Sequence, residues 1–326
     1  MDQSNHSNKI CIDDSCEISP ERVEVFTALI RKLSLASLPT SAEHLKGLLV
    51  VPDTDLERTV NAIAEGKRPA PYRAGTTLPP AIAVAVEDDS GLSCFIVITE
   101  SLLQSIDPEH YTVDTVSTLL EELLHVRLYI GTWQRRGCLM SRKTESPCAQ
   151  DLFVMCSNFH DEYVVARWKA PIFASLGLEI RYGLRLAPIL DQAAQNLARI
   201  VIMASSGVFP IQDAWGKVIR SVHRDLFDPL ARDAGFRAGN PESSQDEDGA
   251  SESWFYRDHI ASYWQQVQVE LERSFDSGLT ETESALDEIV KTVEEFLRFI
   301  GVTYRDIDDS QCWVNFERRF FDSLED

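Results

Sequence analysis

The sequence predicts a mostly helical α+β fold, in which a small antiparallel sheet packs on one long apolar helix. Three observations predict it. Two β-compatible runs at 81–87 and 93–100 flank the turn-rich Asp88-Asp89-Ser90-Gly91 and read as a hairpin. Nearly everything after Glu100 carries apolar residues at helical spacing. The composition, 44% hydrophobic and 25% charged over 326 residues, is that of a globular chain. It excludes disordered, collagen-like and disulfide-framework classes.

Taken in order, residues 1–18 are polar and acidic and are expected to form a disordered arm. A helix is expected from Pro20, with Ser19 as its cap and Pro at the first helical position. Val23, Phe26, Leu29, Ile30 and Leu33 line one face of it. Shorter helices are expected at 41–49 and 53–65, the second ended by Gly66. The proline-rich stretch 67–79 reads as a surface loop, and the hairpin follows with the only strands expected. Further helices are expected at 100–106, 112–130, 148–175, 189–205, 211–227, 254–276, 281–300 and 312–323. The stretch 239–253 holds five acidic residues, four Ser and no large apolar residue, and reads as a linker. It separates an α+β domain at 19–238 from a helical segment at 254–326.

Thirty-one Lys+Arg against 52 Asp+Glu leave a net charge of −21, which argues against nucleic acid as a ligand. No apolar run is long enough to span a bilayer, and the N-terminus has no signal-peptide pattern. Seven cysteines at irregular spacing, with no C-x-x-C pair, suggest reduced thiols and a cytoplasmic location.

The chemistry is concentrated at 94–130, where a strand and a short helical segment precede a long helix carrying Glu121-Glu122-Leu123-Leu124-His125. Glu121 and His125 are four residues apart, so they share a face. Val116, Leu119, Leu120, Leu123, Leu124 and Leu128 make most of this helix apolar. Two carboxylates and an imidazole are costly in such surroundings unless paired or metal-bound.

The stretch LLEELLHV resembles the active helix of the zincin metallopeptidases, which carries His-Glu-x-x-His with two zinc ligands and a general base. The later run NFHDEYVVARWKA at 158–170, with Asp161-Glu162-Tyr163 and Arg167, resembles the stretch that supplies the third, glutamate ligand in gluzincins. The likeness covers about residues 80–175. It implies Glu121, His125 and Glu162 as metal ligands and Glu122 as the base, with an extended polypeptide substrate held along the strand CFIVIT. His160 or Asp161 would be a local replacement ligand.

The sequence departs from the family where the first zinc-binding His is replaced by Glu121. A Glu/His/Glu set is harder and more anionic than the family's, and admits Mn²⁺ or Fe²⁺ as well as Zn²⁺. The competing expectation is an inactive scaffold that binds a protein partner. A di-iron bundle needs a second E-x-x-H motif, which is absent, as are dinucleotide, P-loop and G-x-S-x-G motifs. Cys156, His223 and His259 read as packing, capping or surface residues.

Overall fold

Two apolar runs that precede the hairpin in the sequence form strands of their own. The computed structural model describes residues 10–38, 42–65, 72, 79–106, 112–139, 144, 146–178, 186–240, 249–308 and 311–322. The chain divides into two units, one of residues 1–139 with 172–180 and one of residues 140–171 with 181–326.

The first unit holds a four-stranded mixed sheet in the order β1-β2-β4-β3, made by β1 (Ile10–Ile12), β2 (Leu45–Val51), β3 (Ala81–Asp88) and β4 (Gly91–Thr99). The expected hairpin is β3–β4, antiparallel from Ala81↔Ile98 to Asp88↔Gly91. β2 pairs with β4, and β1 with β2, in parallel. The sheet is therefore mixed where the sequence suggested an antiparallel one. A disordered arm was expected over 1–18; Ile10–Ile12 is a strand, Asp13 continues it by donating its N–H to the Val50 carbonyl at 2.9 Å, and residues 1–9 lie outside the described residues. Likewise 45–51 is strand where a helix was expected over 41–49. LKGLLVV is buried along most of its length, and a continuous apolar run fits a buried parallel strand as well as a helix.

Alternate strand positions face opposite sides. Val84, Val86 and Val97 form a core with Leu56 and Val60 of α2 (Leu56–Ile63). The opposite face presents Ala81, Ala83, Cys94, Ile96 and Ile98, all buried. α4 (Val113–Arg136) packs on β3 and β4, and α1 (Pro20–Ser37) packs on α4; α3 (Glu100–Gln104) follows β4. Ser19 caps α1 as expected, accepting from the Arg22 N–H at 3.4 Å. Most of the 67–79 loop, and Gly66, lie outside the described residues.

The second unit contains α5 (Pro147–Ser175) up to Pro171, with α6 (Leu186–Ser205) and α7 (Ile211–Ser221). α7 runs through a π-helical segment, Val222–Phe227, into α8 (Asp228–Gly239). A second π-helical segment, Tyr256–Ile260, leads into α9 (Ala261–Asp276), and α10 (Thr282–Phe299) packs on α9. Phe227 stands at the centre of the core, with ring centroids 5.4 Å from Phe159, 5.9 Å from Phe296 and 6.2 Å from Trp264. The helices at 254–300 share one unit with α5 up to Pro171 and with α6 to α8. Residues 241–248 of the expected linker lie outside the described residues. Its end is anchored: Ser253 is fully buried, donates to Asp191 at 2.5 Å and accepts from the Tyr256 N–H at 3.1 Å.

The chain closes with a second antiparallel hairpin, β5 (Val302–Asp308) and β6 (Gln311–Phe316), and the short α11 (Arg319–Asp322). A helix was expected over 312–323. Cys312 on β6 is bonded to Cys148 in the first turn of α5, which corrects the expectation of seven reduced thiols. The remaining described cysteines, Cys11, Cys16, Cys94, Cys138 and Cys156, are free. A non-reducing peptide map is expected to show one cross-linked pair containing Cys148 and Cys312. Full alkylation of both without reduction would contradict it.

Candidate metal centre

α4 presents its polar residues from a helix whose ends are fixed. Thr112 accepts from the Thr115 N–H at 3.2 Å, and Gly137 at φ 70° donates to the Trp133 carbonyl at 2.7 Å. Asp114 in the first turn and Arg135 and Arg136 in the last complement the helix dipole. Leu119, Leu120, Leu123 and Leu124 are buried almost completely. Their burial fixes the helix's rotation, leaving Glu121 and Glu122 half-buried and His125 9% exposed.

Glu162 lies on α5 between the buried Phe159 and Tyr163 and beside the buried His160. Its side chain is 18% exposed and forms an ion pair with Arg232 of α8 at 2.8 Å. Arg232 also donates through Nε to Asp228, one turn earlier, at 3.2 Å. α5 and α8 meet backbone to backbone at this level. A Cβ on Gly235 would fall 2.3 Å from the Tyr163 carbonyl oxygen, and one on Gly239 2.4 Å from that of Arg167.

One donor atom from each of Glu121, His125 and Glu162 lies within 4.8 Å of the other two. Among the described residues this is the one group of three or more His, Cys, Asp or Glu side chains that meets so closely. One nitrogen and two carboxylate oxygens are a donor set that divalent ions accept, at bonds of about 2.1 Å. The group could hold a metal ion.

Other expected site residues are placed differently. Glu122 stands outside the group and accepts a hydrogen bond from the Ala83 N–H at 2.5 Å. His160 is turned into the core, with Nε2 2.8 Å from Ser274 Oγ and Nδ1 3.3 Å from Asp161 Oδ1. Neither His160 nor Asp161 belongs to the group. Both edges of the CFIVIT strand are taken, because β4 lies between β2 and β3. The sheet edge beside α4 is β3. Pro80 and the even positions of β3 face β4, as the Thr99 N–H to Pro80 carbonyl bond at 2.9 Å shows, so Ala81, Ala83 and Ala85 direct their main-chain groups away from it.

Two neighbours of Glu162 had no signal in the sequence. Arg232 lies 70 positions away. His223, read from sequence as a surface or capping residue, sits in the π-helical segment, where its pKa is pushed down to about 4. Burial is the main cause; the nearby Glu162 charge opposes it, and Arg224 and Arg232 add to it. Single π-helical turns of this kind are rare within α-helices.

A depressed folded-state pKa means that the unfolded chain binds the proton more readily. His223 therefore contributes stability above the ordinary histidine pKa, and this is lost as pH falls from about 6.5 to about 4. The expected contribution is up to about 3 kcal/mol. His223→Gln is expected to flatten the pH dependence of Tm across that window, and an unchanged slope would contradict the assignment.

Among the described residues no helix is long and apolar enough to cross a membrane. Compared with models of known families, curated proteins and solved structures, the chain matches none.

Proposed function

We propose that this protein is a metal-dependent hydrolase of the zincin kind, acting on polypeptide, with a Glu/His/Glu ligand set. The observation that carries the reading is the meeting of Glu121, His125 and Glu162 from two helices separated in sequence. A divalent ion held there would polarise a substrate carbonyl and bring the pKa of a bound water towards about 7. Glu121 and His125 supply donors from adjacent turns of α4, and Glu162 supplies the third from α5. Glu122 is the base that accepts a proton and delivers it to the leaving amine. The outward main-chain groups of Ala81, Ala83 and Ala85 suit an extended peptide added as a further strand. This replaces the CFIVIT strand with β3 as the docking edge.

One observation favours a second reading, an inactive scaffold that binds a protein partner. The Ala83 N–H already engages the Glu122 carboxylate, which both lowers its availability as a base and occupies a docking group on β3. Incubating the Zn²⁺-, Mn²⁺- or Fe²⁺-loaded protein with a complex peptide mixture and sequencing new termini by mass spectrometry separates the two. New termini that vanish with a chelator support the hydrolase. Metal uptake without any cleavage supports the scaffold.

A further inference from the structure

We infer that Arg232 is a positioning and charge-compensating residue that offsets the carboxylate in place of the first imidazole. The inference rests on the metal reading above. Two glutamates and one neutral histidine give the ligand set a formal charge of minus two. The set expected for the family, two neutral histidines and one glutamate, carries minus one. An additional carboxylate donates charge to the ion and weakens its hold on an anion at the remaining coordination position.

Arg232 supplies the missing positive charge where it acts most directly. Its guanidinium lies 2.8 Å from one oxygen of Glu162. It is held there by its own helix, because Nε donates to Asp228 at 3.2 Å across one turn. Asp228 draws on the same cation, but Glu162 is the nearer of the two. The ion pair places the positive charge directly on the Glu162 carboxylate. Outer partners that orient a ligating carboxylate and adjust its donor strength in this way are a general feature of metal sites. His223 is neutral above about pH 4 and adds no charge at neutral pH.

Arg232 makes the centre one unit less negative than it is without the guanidinium, Asp228 being present in either case, and so favours an anionic ligand relative to a variant with a neutral side chain. This fits a reaction in which negative charge develops on a substrate carbonyl oxygen.

The test loads the full chain with Co²⁺ and titrates sodium azide, following the visible absorption of the cobalt. A unit charge within a few Å of a partly exposed centre is expected to change azide affinity about tenfold or more. Arg232→Met and Arg232→Gln are therefore expected to bind azide about tenfold more weakly than wild type, and Arg232→Lys within about threefold of it. The direction discriminates. If Arg232 only braces the fold, its loss releases Glu162 from the ion, the centre becomes more positive, and azide binds more tightly. Tighter or unchanged azide binding in the neutral variants overturns the inference while leaving the metal site standing. So does an Arg232→Lys variant as weak as Arg232→Met. Wild-type protein that takes up no Co²⁺ overturns the metal reading and this inference with it.

Discussion

Gly235→Ala is expected to destabilise the protein by about 3 kcal/mol or more, because the new methyl would enter a neighbouring backbone. The Cβ would lie 2.3 Å from the Tyr163 carbonyl oxygen and 3.1 Å from the Ala166 methyl. A backbone carbonyl in the middle of α5 cannot rotate aside as a side chain can, so α5 and α8 must separate. Gly239 makes the same approach one turn on, 2.4 Å from the Arg167 carbonyl. The pair forms a small-residue seam that lets the two helices meet closely. Helix propensity alone would favour alanine at both positions by roughly 1 kcal/mol, so the sign of the change separates packing from propensity. Thermal unfolding monitored by circular dichroism checks it, and an unchanged or raised Tm would contradict the packing described. Because the seam lies beside Glu162, Gly235→Ala is also expected to weaken metal binding.

Glu122→Gln is expected to reduce hydrolysis by about a hundredfold or more and to leave metal binding intact. The amide is nearly isosteric, and its oxygen can still accept from the Ala83 N–H that the carboxylate engages at 2.5 Å. What it cannot do is take up a proton. A fall in kcat with unchanged metal content and unchanged Tm would identify Glu122 as the base. Activity equal to wild type would remove it from the mechanism. Cleavage absent from both proteins would leave the group as a binding site on a scaffold.

Much of the helical framework was legible in the sequence, because long amphipathic runs with caps and stops are read by periodicity. The 281–300 run and the Ser19-Pro20 start are examples. The β3–β4 hairpin was legible because its turn is local. What was not legible depended on distant partners. β1 is three residues long and exists only against β2, and β2 becomes a strand through parallel pairing with β4. β5 and β6 carry β-branched and aromatic residues on either side of the sequence Asp-Asp-Ser, a signal that the helical reading of 312–323 overrode.

The candidate site divides in the same way. Glu121 and His125 were legible as a pair from their spacing on one helix. Glu162 was named through resemblance, since a separation of 37 positions from His125 gives no spacing rule. Arg232, His223 and the Ala83 contact to Glu122 come from packing and have no local motif.

Metal content tests the central claim most directly. Wild type, His125→Ala and Glu162→Ala are each equilibrated with an equimolar mixture of Zn²⁺, Mn²⁺ and Fe²⁺ under anaerobic conditions, desalted, and measured by inductively coupled plasma mass spectrometry. The account predicts stoichiometric metal in the wild type and its loss in both variants with the fold retained. No stoichiometric metal in the wild type, or equal retention in the two variants, would contradict it.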